Sequence, residues 1–122
     1  MSKTYKISVL PGDGIGRDVI PQALRVLDAV QQTTGGVDTE LHEFECGGEY
    51  YSRENREWSN EAELFTKKEA DAILLGAIGA SDSSGKSIRL ADGNLAGYSV
   101  VIGLRMDLDL YANVRPVKLY DG

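Results

Sequence analysis

Two arginines near the C-terminal end of the sequence are well suited to bind an anionic ligand. Arg105 lies in a stretch with helical spacing, and Arg115 lies in the strand-like stretch that follows. A turn between them would let both planar guanidinium groups hold carboxylate oxygens in one pocket. The alternative is two surface arginines paired with Asp107 and Asp109. The spacing alone leaves both interpretations open.

A glycine-rich turn, residues 12–16, joins a strand-like stretch to a helical pattern. Glycine lets the backbone approach a ligand closely and brings its N–H groups within reach. The spacing differs from the dinucleotide fingerprint G-x-G-x-x-G, and no acidic residue follows at the distance that this motif requires. The turn alone is compatible with a ligand-binding loop or with a tight turn.

A second glycine-rich stretch, residues 80–87, fits a loose form of the phosphate-binding loop and ends in Gly85, Lys86 and Ser87. Such a loop must lead directly into a helix, whose first N–H groups hold the anion. Residues 91–94 are instead a turn signature. We therefore interpret Lys86 as part of a solvated loop, not as a residue of a nucleotide triphosphatase.

The composition limits the class of protein. The chain has 122 residues, which suits one domain or part of one, and its net charge of -6 without a basic cluster argues against nucleic acid as a partner. The single cysteine, Cys46, is expected to be a buried, unreactive thiol in a reducing compartment. His42, the only histidine, is expected to be exposed or structural. The short apolar run at the N-terminus predicts no signal peptide and no membrane span, hence a cytoplasmic location.

The apolar pattern predicts alternating strands and helices. The predicted strands are residues 5–10, 37–44, 71–78 and 111–120. The predicted helices run from Gly16 to a stop at Gly35 and Gly36, from a capping box of Asn60 and Glu63 to about residue 70, and from about 96 to 108. Residues 47–59 and 80–94 are predicted to be loops. This alternation predicts an α/β fold, a parallel-rich sheet with flanking helices.

Three blocks of the sequence together resemble the β-decarboxylating dehydrogenases, the family of 3-isopropylmalate, isocitrate, homoisocitrate and tartrate or D-malate dehydrogenases. The blocks are LPGDGIG at 10–16, ADAILLGAIG at 70–79, and GLR at 103–105 followed by LDLYANVRPVK at 108–118. The resemblance covers the N-terminal third or so of such a subunit. It implies that residues 1–110 form the cofactor-side α/β region and that 111–122 is a strand leading toward the second domain.

The resemblance also implies roles for individual residues. Arg105 and Arg115 match the arginines that bind the carboxylate shared by the family's substrates. Val101 and Ile102 match positions facing the variable side chain, where apolar residues suit an alkyl group, whereas Ser99 stands near a serine of isocitrate-specific members. The residues that match the cofactor cleft are Gly14, Ile15, Gly16, Gly76, Gly79 and Ala80.

The activity implied is NAD-dependent oxidative decarboxylation of a malate-type 2-hydroxy acid, most similar to that of 3-isopropylmalate dehydrogenase. The ligands of Mg²⁺ or Mn²⁺ and the acid/base residues are expected beyond Gly122, and a homodimer is expected for the full-length enzyme. Arg17, Ala80-Ser81 and Tyr98 depart from the usual pattern, so isocitrate, homoisocitrate, tartrate or D-malate remains an alternative substrate. A stand-alone binding or assembly protein of the same fold is the non-enzyme alternative.

Overall fold

The computed structural model describes residues 3–120, and its centre is a sheet of three parallel strands. The strands are β1 (Lys3–Leu10), β2 (Val37–Glu43) and β3 (Ala72–Leu75), in the order β2-β1-β3. On the central strand, Val9 lies opposite Glu43 on one side and Leu74 on the other. Because all three strands run in one direction, the loops that follow them meet at one edge of the sheet. The predicted α/β class is confirmed.

The helices that flank the sheet begin with α1, which forms where the sequence predicts it. α1 covers Gly16–Thr34 and ends at Gly35, whose φ of 63° lies in the left-handed region that glycine adopts readily. The later helical elements are α2 (Gly48–Glu54), α3 (Asn60–Lys68), a π-helical turn (Ser99–Gly103) and α4 (Leu104–Asp107).

The prediction of a loop over residues 47–59 is wrong, because α2 occupies its first half. The N-terminal N–H groups of α2 are satisfied by the carboxylate of Asp13, which is distant in sequence. A local pattern cannot reveal such a cap. The helix ends at Asn55, which adopts the left-handed conformation.

The start of α3 differs by one residue from the predicted capping box. Ser59, not Asn60, is the N-cap, and its side chain accepts a hydrogen bond from the N–H of Ala62 at 3.0 Å. A serine at this position satisfies one of the four free N–H groups of the first turn. The helix itself is where the spacing places it.

The C-terminal half departs further from the predictions. The third strand is confined to Ala72–Leu75, and the predicted helix 96–108 is shorter and begins as a π-helical turn. Residues 111–120, predicted to be a strand, form none here and are exposed throughout. Their backbone pairs with no strand among the described residues, which is the physical reason that the apolar pattern is not realised.

One apolar core lies beneath the carboxyl edge of the sheet. It joins the end of β1 to α3 and to the helical residues 99–107, and its buried members are Leu10, Cys46, Trp58, Ala62, Val100 and Leu104. A buried hydrogen bond of 2.7 Å between the hydroxyls of Ser8 and Thr66 also links β1 to α3. No helix within residues 3–120 is long and apolar enough to cross a membrane.

Candidate functional site

Asp13 joins the segments that follow all three strands. It lies in the turn after β1, and its side chain is buried. Its carboxylate accepts hydrogen bonds from the N–H groups of Gly48 at 2.8 Å, Glu49 at 2.9 Å and Gly79 at 2.9 Å. Gly48 and Glu49 begin α2 after β2, and Gly79 follows β3. The carboxyl edge of the sheet is therefore held together at one side chain.

The two glycine-rich segments of the predicted cofactor cleft lie side by side. The N–H of Asp13 donates to the carbonyl of Ala77 at 2.8 Å, and the N–H of Gly76 donates to the carbonyl of Leu10 at 2.8 Å. Gly12 has a φ of 78°, and a Cβ atom there would overlap the carbonyl of Ala77. The close packing of the two segments thus requires glycine at position 12.

The predicted cofactor residues differ in exposure at this edge. Gly16 is buried, whereas Gly14 and Ile15 are exposed at the tip of the turn and Gly79 is exposed on the neighbouring segment. Gly76 and Ala80 are half-buried. The exposed residues are therefore available to a ligand, and their role in cofactor binding stays a prediction.

Glu49 contacts the tip of the glycine turn. One carboxylate oxygen lies 3.4 Å from the N–H of Gly14, and the other pairs with the guanidinium of Arg17. The pair joins the first turn of α1 to α2. These two residues are far apart in the sequence, so no local pattern reveals this ion pair.

Val101 and Ile102, predicted to face the substrate's side chain, line a cavity of about 200 Å³. Its other lining residues are Ile78, Leu95, Ala96, Gly97 and Tyr98. The wall is mainly apolar, and Ile78 belongs to the segment that follows β3. The cavity therefore connects the π-helical turn with the carboxyl edge of the sheet.

A buried carboxylate, Glu57, holds the start of the same helical segment. It accepts hydrogen bonds from the N–H groups of Gly97 and Ser99, the latter at 3.3 Å from each carboxylate oxygen. Glu57 has no signal in the sequence, because it stands in a polar stretch with neither helical nor strand spacing.

Lys67 holds the other end of the segment. Its ammonium group lies 2.6 Å from carboxylate oxygens of both Glu63 and Asp107, and it sits over the ring of Trp58. Burial acts to lower the pKa of Lys67, but the hydrogen bonds to Asp107 and Glu63 outweigh it and raise the pKa above its usual value. Asp107 is thus engaged with α3.

The structure does not bring the two predicted clamp arginines into a common contact. Both side chains are exposed, Arg105 on α4 and Arg115 in the extended segment after it. Within residues 3–120, no hydrogen bond or ion pair engages either guanidinium group. The carboxylate clamp stays a prediction.

The phosphate-loop interpretation of residues 80–87 is excluded by the loop's own hydrogen bonds. The N–H groups of Ser84 and Lys86 donate to the carboxylate of Asp82 at 2.8 and 3.1 Å. Hydrogen bonds from Ser84 and Lys86 lower the pKa of Asp82, and these N–H groups are therefore already bonded to a carboxylate of the loop itself. The predicted solvated loop is confirmed.

Cys46 and His42 are structural. Burial, with a further contribution from the charge of Asp13, raises the pKa of the Cys46 thiol to about 12, which makes it a poor nucleophile. His42 pairs with Glu40 at 2.7 Å, and its ring lies 4.2 Å from that of Phe65. In the part of the chain that the structure describes, no group of three or more His, Cys, Asp or Glu side chains is arranged to hold a metal ion.

The chain is an α/β protein with a parallel sheet and glycine-rich segments at its carboxyl edge, an architecture in which ligands commonly bind outside the ends of the strands. The family model of isocitrate/isopropylmalate dehydrogenases matches residues 6–122, and the chain belongs to this family. The resemblance inferred from the three sequence blocks is confirmed.

Individual relatives agree with this assignment. The chain is 43% identical over 122 residues to the 3-isopropylmalate dehydrogenase of Bifidobacterium longum (strain DJO10A), covering 100% of the chain and 32% of that protein. It is 42% identical over 121 residues to that of Aquifex aeolicus (strain VF5), covering 98% of the chain and 31% of the relative. The chain therefore spans about a third of the length of these relatives.

A solved structure also resembles the fold. The crystal structure of the apo form of a beta-decarboxylating dehydrogenase from Thermococcus kodakarensis aligns with a TM-score of 0.60 at 31% identity. The alignment covers 88% of this chain and 27% of that one. The chain thus has the fold of the N-terminal part of such an enzyme.

Proposed function

We propose that this chain is the N-terminal part of an NAD-dependent oxidative decarboxylase of a malate-type 2-hydroxy acid, similar to 3-isopropylmalate dehydrogenase. The main supporting observation is that the predicted cofactor residues and the predicted substrate residues are linked through one segment, the one that follows β3. The glycine turn and the segment after β3 meet through Asp13, and Ile78 of that segment lines the same cavity as Val101 and Ile102. Cofactor and substrate would bind side by side there.

The residues of this chain bind and orient the reactants. Arg105 and Arg115 bind the carboxylate common to the substrates, and the apolar cavity wall receives the variable side chain. The glycine turn, with exposed Ile15 at its tip, would lie against NAD. NAD bound at this turn would supply an acceptor for the hydride of the hydroxyl-bearing carbon, and the overall reaction, with loss of carbon dioxide, would give a 2-oxo acid.

The remaining parts of the active site belong to sequence outside this chain. These are the ligands of Mg²⁺ or Mn²⁺ and the acid/base groups. We also propose that the full-length protein is a homodimer in the cytoplasm. Residues 111–122 would form a strand that leads toward its second domain. The unpaired backbone of residues 111–120 is available for such a strand.

The test is a substrate comparison with the full-length protein. D-malate, 3-isopropylmalate, tartrate and isocitrate are offered at equal concentration with NAD, and NADH formation is measured by absorbance, with NADP in parallel. An apolar wall leaves a third carboxylate without a partner, so malates bearing hydrogen or alkyl groups should be preferred to isocitrate. Each methylene that fits should add only about 1 to 3 kcal/mol of discrimination.

Two results would contradict the proposal. Absence of NADH and NADPH formation with all four acids would remove the dehydrogenase function. Preference for isocitrate by roughly tenfold or more would show that Ser99 and not the apolar wall governs the pocket.

A further inference from the structure

We propose that Glu57 is a positioning residue that fixes the π-helical turn Ser99–Gly103 and thereby sets where Val101 and Ile102 meet the substrate. The inference rests on the proposed function, which assigns these two residues to the substrate's variable side chain. Glu57 itself does not line the cavity.

The contacts of Glu57 are directed at one end of this turn. The residue is 8% exposed and lies between α2 and α3. Its hydrogen bonds from Gly97 and Ser99 satisfy N–H groups at the start of the helical segment, where a helix has no internal acceptors. Within residues 3–120 no cation pairs with Glu57, so main-chain N–H groups alone compensate its buried charge.

The residues that Glu57 holds are also part of the cavity. Gly97 lines it and has a φ of 103°, and a Cβ atom there would overlap the side chain of Ile78, which also lines the cavity. Gly97 and Ile78 are therefore in close contact, and a shift of Gly97 would change the shape of the cavity that both residues line. A π-helical turn has a wider backbone than an α-helix and is rare, and such turns occur frequently at functional sites.

The far end of the segment has its own anchor. Asp107 at the end of α4 binds the ammonium group of Lys67 at 2.6 Å, and Lys67 also contacts the ring of Trp58, the residue after Glu57. Val101 and Ile102 thus lie between two fixed points. With the Lys67 anchor in place, loss of the Glu57 anchor should loosen the start of the segment while α4 stays docked.

The test variant is Glu57→Gln in the full-length protein. Glutamine has nearly the same shape, but an NH₂ group replaces one acceptor oxygen and faces a main-chain donor. The matched control is Glu54→Gln, which removes the same charge from an exposed position at the end of α2. Glu57→Asp keeps the charge on a side chain one methylene shorter and provides a second variant if the glutamine variant does not fold.

The expected result is a selective loss on the substrate side. For Glu57→Gln, kcat/KM for 3-isopropylmalate should fall roughly tenfold to 100-fold, as expected of a small misplacement of binding groups. The KM for NAD should stay within about twofold of the wild-type value. Whichever of 3-isopropylmalate and D-malate the wild-type protein prefers, the ratio of their kcat/KM values should approach one in the variant. Glu57→Asp should show the same change more weakly, and Glu54→Gln should show none.

Amide hydrogen exchange provides a readout that does not depend on catalysis. Exchange in the peptide covering residues 95–103 should be faster in Glu57→Gln by roughly tenfold, because a hydrogen bond to a charged acceptor is lost, and unchanged in Glu54→Gln. Unchanged exchange would overturn the inference, and so would faster exchange with unaltered substrate selectivity. An inactive wild-type protein would instead overturn the proposed function, and the positioning role with it. The two failures are distinguishable, because the first is seen with the wild-type protein and the second only by comparing the variants.

Discussion

At the scale of single residues, Asp107 forms an ion pair with Lys67 and not with Arg105. The sequence leaves open whether Arg105 pairs with a nearby aspartate on the surface. In the structure the carboxylate of Asp107 is bound by Lys67, and Arg105 is exposed without an ion pair among the described residues. This supports the proposed clamp, because an arginine already paired would have to break that contact before it could bind a substrate carboxylate.

The clamp can be tested by Arg115→Lys in the full-length protein. Lysine keeps the charge but loses the planar fork that holds two carboxylate oxygens. We expect kcat/KM for the 2-hydroxy acid to fall by an amount corresponding to about 2 to 5 kcal/mol, with the affinity for NAD almost unchanged. Steady-state kinetics with each reactant varied in turn provides the measurement.

The control for this prediction is Arg25→Lys, on an exposed part of α1 away from the site. It should leave both kinetic constants unchanged. Equal weakening of substrate and NAD binding by Arg115→Lys would show that Arg115 supports the structure and is not part of a clamp.

At the scale of elements, Asp13 connects the glycine turn to α2 and to the segment after β3. Gly48 and Gly79 donate to the same carboxylate oxygen. In Asp13→Asn, the NH₂ group would face either both of these N–H groups or the N–H of Glu49. We expect the free energy of unfolding to fall by about 2 to 4 kcal/mol, since hydrogen bonds to a buried charged acceptor are among the stronger ones.

The measurement for Asp13→Asn is the midpoint of urea unfolding of the full-length protein, compared at constant slope. Asp109→Asn is the matched control, because Asp109 is exposed and asparagine also tolerates its φ of 48°. Ordinary surface substitutions change the free energy of unfolding by less than about 0.5 kcal/mol. A change within this range in Asp13→Asn would show that water can replace the three contacts.

Elements that depend on local patterns are predictable from this sequence, and those that depend on remote partners are not. α1 has a long apolar period and a glycine stop, and both ends were predicted. α2 depends on Asp13, which is distant in sequence. Residues 111–120, predicted to be a strand, pair with no strand among the described residues. The π-helical turn has no sequence signal of its own, since its spacing was interpreted as an ordinary helix.

The candidate site shows the same division. Parallel strands must end at one edge, so the meeting of the two glycine-rich segments follows from the predicted fold, and the family resemblance supplied the possible roles of Val101 and Ile102. The residues that hold these parts in place, Asp13, Glu57 and Lys67, were missed. Their partners are main-chain N–H groups or side chains of other elements, which spacing along the chain does not identify.

At the scale of the whole molecule, apolar side chains remain exposed on several elements, among them α1 and the extended segment after α4. Val19, Val26 and Val30 are exposed on α1, and the extended segment exposes Tyr111, Val114, Val117 and Leu119. Single exposed apolar residues are common, but contiguous ones mark surfaces that bind another segment or chain. The chain also spans only 32% of its Bifidobacterium relative. These observations lead to a prediction about the 122-residue chain on its own.

We predict that the isolated chain forms no NADH with any of the four acids, NAD and Mg²⁺ or Mn²⁺, because the acid/base groups and metal ligands are proposed to lie outside it. We also expect it to self-associate or to unfold over a broad range of urea, since unpaired backbone and apolar surface favour contacts between copies. Sedimentation at two concentrations and urea unfolding test this, with the full-length protein as the control. NADH formation by the isolated chain, or a stable monomer with a steep unfolding transition, would show that these 122 residues form a self-sufficient unit.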